Sequence, residues 1–149
     1  MENNVLRRSL KTGSQQSQTA SSSTKGADMG KLVSEFLEAV TSVHKAHLKI
    51  TGPGSYAAHT AMGAFYDEIG DLADSIAESY QGVTETLLDI PATQQASCSS
   101  AAECVNFLNS LYQKVDAAQK ACAYSEIIND LDNVKSLINS TKYKLIFLK

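Results

Sequence analysis

Between Leu32 and Val83 the apolar residues recur at three- and four-residue intervals, and Thr51-Gly52-Pro53-Gly54 breaks that rhythm once. Such a period puts the apolar side chains on one stripe of an α-helix, and a chain built this way must bury the stripe against other helices. The first helix is expected from about Asp28 or Met29 to Ile50, with Leu32, Phe36, Val40, Val43 and His47 on its stripe. Gly opens the backbone angles that end a helix and Pro cannot continue one, so the break stops it. Ser55 is then placed to cap a second helix from Tyr56 to about Tyr80, with Ala58, Met62, Phe65, Ile69, Leu72, Ile76 and Val83 along one face. Two long amphipathic helices joined by so short a loop form an antiparallel hairpin.

The stretch VTETLLDIPATQQAS after Gly82 changes composition and contains Pro91, which marks it as a connection, with room for one helical turn at Glu85 to Leu88. A third helix is expected from Ser99 or Ser100 to about Cys122. A fourth follows a turn at residues 123–125 and carries Ile127, Leu131, Val134, Ile138, Leu145 and Leu148 on one side. Its last residues, YKLIFL, also suit a short extended segment. Four helices with one long middle connection imply an all-α fold, a ferritin-like four-helix bundle.

Residues 9–27 are almost wholly Ser, Thr, Gln, Gly and Lys and cannot bury enough apolar surface to offset the entropy of ordering. The chain therefore divides into a flexible N-terminal arm, 1–28, and the bundle, 29–149. The net charge of −3 conceals an asymmetry, because Arg7, Arg8, Lys11 and Lys25 make the arm weakly basic and leave the body acidic. Such an arm can make weak, salt-sensitive contact with DNA phosphates or dock on another protein chain. No apolar run approaches the roughly 20 residues that span a bilayer, and the N-terminus lacks the apolar core of a signal peptide. The expected location is the cytoplasm, or a virion assembled there. The three cysteines are expected as free thiols, Cys104 and Cys122 near apolar stripes and Cys98, in the connection, as the more reactive one.

Four side chains have metal-ligand chemistry in a suggestive arrangement: His47 near the end of the first helix, His59 one turn into the second, and Asp74 and Glu78 one turn apart further along. Imidazole nitrogens and carboxylates together suit non-haem iron. His59 and Asp74 are 15 residues apart, which is about 22 Å along a helix and a net rotation of about 60°. One chain cannot bring them to the same ion. Two second helices paired antiparallel can, since each His59 then lies beside the Asp74 and Glu78 of the other copy, about a two-fold axis near Asp67 or Glu68. Taken singly, the histidines also suit core or interface positions, and the two carboxylates a solvated helix face.

The segment HLKITGPGSYAAHTAMGAFYDEIGDLADSIAES, His47 to Ser79, resembles the signature of the Dps family of ferritin-like proteins. The resemblance rests on a His ending one helix, a Gly-containing loop, a His opening the next helix, and an Asp and a Glu four apart in a D-x-x-A-E context. Here these are His47, Gly52, His59, Asp74, Ala77 and Glu78. The resemblance implies a homo-oligomeric shell that binds Fe(II) between paired subunits and oxidises it with peroxide or oxygen, a ferroxidase that stores iron or protects DNA. His47 and His59 would come from one subunit, Asp74 and Glu78 from its partner. The chain departs from the family at Gly63, where a further carboxylate is common, and at Leu48, where a Trp is common. Those departures, and a middle connection unlike the family's, favour the alternative of a structural or interaction protein, such as a virion-associated one, that keeps the bundle without the iron chemistry.

Overall fold

A computed structural model describes residues 16–94 and 98–148, with the side chains of 16–24 and 27 left aside. It contains four helices: α1 (Gln16–His47), α2 (Ser55–Thr84), α3 (Ala101–Ala121) and α4 (Ser125–Phe147). No strand occurs among the described residues, and none of their helices is long and apolar enough to cross a membrane.

The helices pack in a ring, α1 on α2, α2 on α4, α4 on α3 and α3 on α1. The path of the middle connection determines their directions. Leaving α2, it passes Asp89 over Gly30, then lays Pro91 and Thr93 against Ser34, whose Oγ donates to the Pro91 carbonyl at 2.5 Å and lies 3.3 Å from the Thr93 hydroxyl. Cys98 then reaches the Ser42 carbonyl, 3.8 Å from its Sγ. The connection thus climbs α1 from one end of the bundle towards the other, and α3 starts beside the α1–α2 turn and runs parallel to α2. This is the connectivity expected of a ferritin-like bundle. At the opposite end Tyr80 of α2 meets Tyr124 before α4 edge-on, with ring centroids 6.1 Å apart. A return along α2 then brings the last turn of α4 back to the α1–α2 turn.

Each helix buries the stripe its period implies. Phe36, Met62, Phe65, Ile69, Ile76, Leu108, Ile127, Leu131 and Ile138 lie fully inside, and each such side chain contributes about 1.5–3 kcal/mol relative to exposure. Val83, in the last turn of α2, and Leu148, just past the end of α4, were expected on these stripes but are exposed. Lys135 of α4 binds Asp116 and Gln119 of α3, each at 2.8 Å, and Gln119 donates to Asp132 at 2.6 Å, which fixes the α3–α4 pair.

Three local expectations need correction. α1 opens at Gln16 rather than at Asp28 or Met29, so it takes in the Ser/Thr/Gln-rich residues 16–27; residues 1–15 lie outside the described ones. These residue types cost a helix only a few tenths of a kcal/mol each, and extending an existing helix carries no nucleation cost. Ser55 makes no cap: Gly54, at φ 75°, precedes the helix, with Gly52 at φ 93°. Both are left-handed conformations that favour glycine. The turn expected at Glu85 to Leu88 is absent, since α2 continues to Thr84 and stops at Glu85 in the left-handed region, φ 51°. Of the two conformations open to YKLIFL, the structure has the helix, to Phe147.

Candidate functional site

The hairpin brings His47 and His59 together at one end of the bundle. α1 ends at His47, the loop turns through its two left-handed glycines, and α2 places His59 back alongside. The imidazoles stack with centroids 3.6 Å apart and planes 22° from parallel. Each ring bonds the other residue's main chain, His47 Nδ1 to the His59 carbonyl at 2.8 Å and His59 Nδ1 to the His47 carbonyl at 3.0 Å. A carbonyl oxygen only accepts, so each Nδ1 carries its proton and donates. In the neutral rings this leaves the Nε2 lone pairs unused, the tautomer in which a metal-ligating histidine is held when its other nitrogen donates to a backbone carbonyl. The bonds also have a structural effect, because the His47 carbonyl lies in the last turn of α1, where the helix supplies no partner.

Around this pair, His44 stacks on Tyr66 with centroids 4.2 Å apart and 19° between planes, and Tyr66 meets His47 edge-on at 5.3 Å. The His47 ring lies beside Gly63 of α2. A Cβ at this position would lie 3.4 Å from His47 Cε1 and 3.6 Å from its Nδ1, in ordinary van der Waals contact with the ring. Tyr66 and His44 were not singled out in the sequence as part of the cluster. The spacing of His59 and Tyr66, two helical turns, is the one signal that could have placed the tyrosine on the same face.

His59 is exposed and His47 half-buried, so the pair opens to solvent. Asp74 and Glu78 project from the exposed face of α2, a face that also carries Asp67, Glu68 and Asp71. Within a single chain they are far down α2 from the histidines. Among the described residues, no three His, Cys, Asp or Glu side chains of one chain gather closely enough to hold a metal ion.

All three cysteines are free thiols. Cys104 is buried and Cys122 half-buried. Cys98, expected in an open connection, is buried too, since the connection folds it against α1 and α3.

No curated protein and no solved structure matches the chain. A family model does match, over residues 47–145, a span that contains His47, His59, Asp74 and Glu78 together with most of the bundle. The chain belongs to DUF5856, a family of unknown function.

Proposed function

We propose that the protein is a Dps-like binder of Fe(II), its substrate, at sites shared by two copies of the chain. His47 and His59 of one copy supply imidazole nitrogens, and Asp74 and Glu78 of the other supply carboxylates. The observation that carries this reading is the reciprocal pair of Nδ1 bonds, which sets both histidines in the metal-binding tautomer at an open surface. The 15-residue separation on a continuous α2 supports the second chain, since antiparallel pairing of the exposed α2 faces sets each histidine pair beside a carboxylate pair. Carboxylates stabilise the Fe(III) product more than Fe(II) because of its higher charge, which favours electron loss to peroxide or oxygen at the site. A ferroxidase of this kind shows saturable Fe(II) binding and accelerated iron oxidation, both lost in His59→Ala and in Asp74→Ala. Equal oxidation rates in wild type and both variants refute it.

A second reading, an interaction protein that has kept the bundle, draws on a different observation. Leu48, Tyr56, Tyr143 and Phe147 are 71%, 84%, 56% and 68% exposed, and the run of the helices brings all four to the hairpin end. An apolar cluster of this kind suits contact with other chains. The weakly basic residues ahead of α1 would add a DNA or protein contact, which deletion of residues 1–15 tests by gel shift.

A further inference from the structure

Away from the histidines, α1 and α3 face each other across a cleft. Glu103, Phe107, Leu111 and Lys114 follow at four- and three-residue steps, which sets them along one flank of α3. Opposite them α1 presents Lys31, Glu35 and Glu38, and the connection lays Thr93 along the side, against Ser34. The cleft between these walls measures about 700 Å³. Small-molecule sites commonly have about 300–1,000 Å³. Leu111 is buried and Phe107 half-buried, so part of the wall is apolar.

The three carboxylates of the cleft differ in their partners. Glu35 is matched by Lys114, whose Nζ lies 3.0 Å away. Glu103 belongs to the cap of α3: the Ser100 hydroxyl accepts from Glu103 N–H at 3.2 Å, while Glu103 Oε2 accepts from Ser99 N–H at 2.7 Å. Glu38 has no such match. The residue is half-buried, its Oε2 is fully buried, and no group among the described residues donates to that oxygen. Lys31, exposed at the same wall, starts seven residues before Glu38, about 10 Å along the helix. A carboxylate oxygen withdrawn from water is costly until a donor reaches it, and more so when it carries charge.

We propose that this cleft binds a small organic cation, a primary amine with an apolar body, whose ammonium donates to the Glu38 carboxylate. The ammonium supplies both the charge and the N–H that Glu38 lacks, and charge-assisted bonds of this kind are the stronger class. The carboxylate turns easily about its last bond, so either oxygen can be presented to the cleft. The apolar body lies along Phe107 and Leu111, where burial of carbon adds to affinity. A metal ion does not fit the same walls, since among the described residues no three His, Cys, Asp or Glu side chains gather closely enough to hold one. The proposal is independent of whether the histidines hold iron.

The test follows the backbone amide NMR signals of the iron-free full-length protein during titration with phenethylamine and, in parallel, with phenethyl alcohol, which has the same shape and no charge. Phenethylamine should saturate with a Kd of about 1 mM or tighter. It should move the signals of Glu38, Phe107 and Leu111 and leave that of His59 in place. The alcohol should bind about tenfold weaker or worse, the loss expected for one hydrogen bond to a charged group. In Glu38→Gln the amine should weaken by the same factor and the alcohol should bind as before. The proposal is overturned if phenethylamine does not saturate, or if the alcohol binds as well as the amine, as it would if water sufficed for Glu38. It is equally overturned if the shifts fall on Asp67, Glu68 and Asp71 of α2 instead, or if a folded Glu38→Gln protein binds the amine unchanged. The wild-type comparison of the two probes decides without the variant, should Glu38→Gln fold poorly.

Discussion

Gly30 is the place where the crossing connection presses closest on the bundle. It lies inside α1, and a methyl group built on it would fall well within van der Waals contact of the Asp89 carbonyl. Asp89 meets it with main chain, which cannot rotate aside, so Gly30→Ala has to lift the connection from α1. The nearest casualties are the bonds of Ser34 to Pro91 and Thr93, one turn along the helix. Overpacking of this kind costs about 1–3 kcal/mol, and a clash with backbone belongs at the upper end. Losing the Ser34 bond adds about 1 kcal/mol, and the better helix propensity of alanine returns about 1 kcal/mol. The net loss should be about 2–3 kcal/mol. Gly26, one turn earlier on the same helix, has nothing within 4 Å of a would-be Cβ, so Gly26→Ala should keep the propensity gain of about 1 kcal/mol. In urea unfolding, with a slope of about 2 kcal/mol per molar, Gly30→Ala should lower the midpoint by about 1 M or more and Gly26→Ala raise it by about 0.5 M. A Gly30→Ala midpoint equal to or above that of wild type would refute the path assigned to the connection.

Two further perturbations address the start of α3 and its charged face. Ser100→Ala removes the hydroxyl that accepts from Glu103 N–H and should cost about 1 kcal/mol in urea unfolding. Asp116 is held down to about 2, below the ordinary 3.8, by hydrogen bonds from Lys120 and then Lys135. A lowered carboxyl contributes stability above its ordinary value and loses it as pH falls through the folded one. Acid unfolding should therefore steepen between pH 3.8 and about 2, Asp116→Asn should flatten that limb, and the carboxyl carbon of Asp116 should titrate in the same window by NMR.

The hairpin was legible because its information is local. A 3.6-residue period in Phe65, Ile69 and Ile76, broken by Gly52-Pro53-Gly54, leaves little freedom in the backbone, and His47 and His59 follow as neighbours across the turn. What was illegible is long-range. Nothing periodic announces that Asp89 lies over Gly30, or that Cys98 folds under the cap of α3 rather than into solvent. Composition misled at the start of α1, since a shortage of apolar residues in 16–27 describes what the segment can bury and says little about whether its backbone continues a helix. The geometry of the histidine pair, with crossed Nδ1 bonds and the bare Gly63 beneath His47, depends on an atomic fit that spacing cannot convey. Asp74 and Glu78 are legible as an exposed acidic face, but their proposed role depends on a second chain.

That role can be tested by complementation. His59→Ala and Asp74→Ala chains are each expected to lack iron oxidation, but when unfolded together and refolded as a mixture they should recover it. A mixed pair joins the intact Asp74 and Glu78 of the first variant to the intact His47 and His59 of the second, restoring one of its two sites. Random pairing of equal amounts then regenerates about a quarter of the wild-type sites. Recovery of about a quarter of the wild-type rate in the mixture, with neither variant active alone, is the result the two-chain site predicts. A mixture as inactive as its components, with mixed pairs formed, would contradict it.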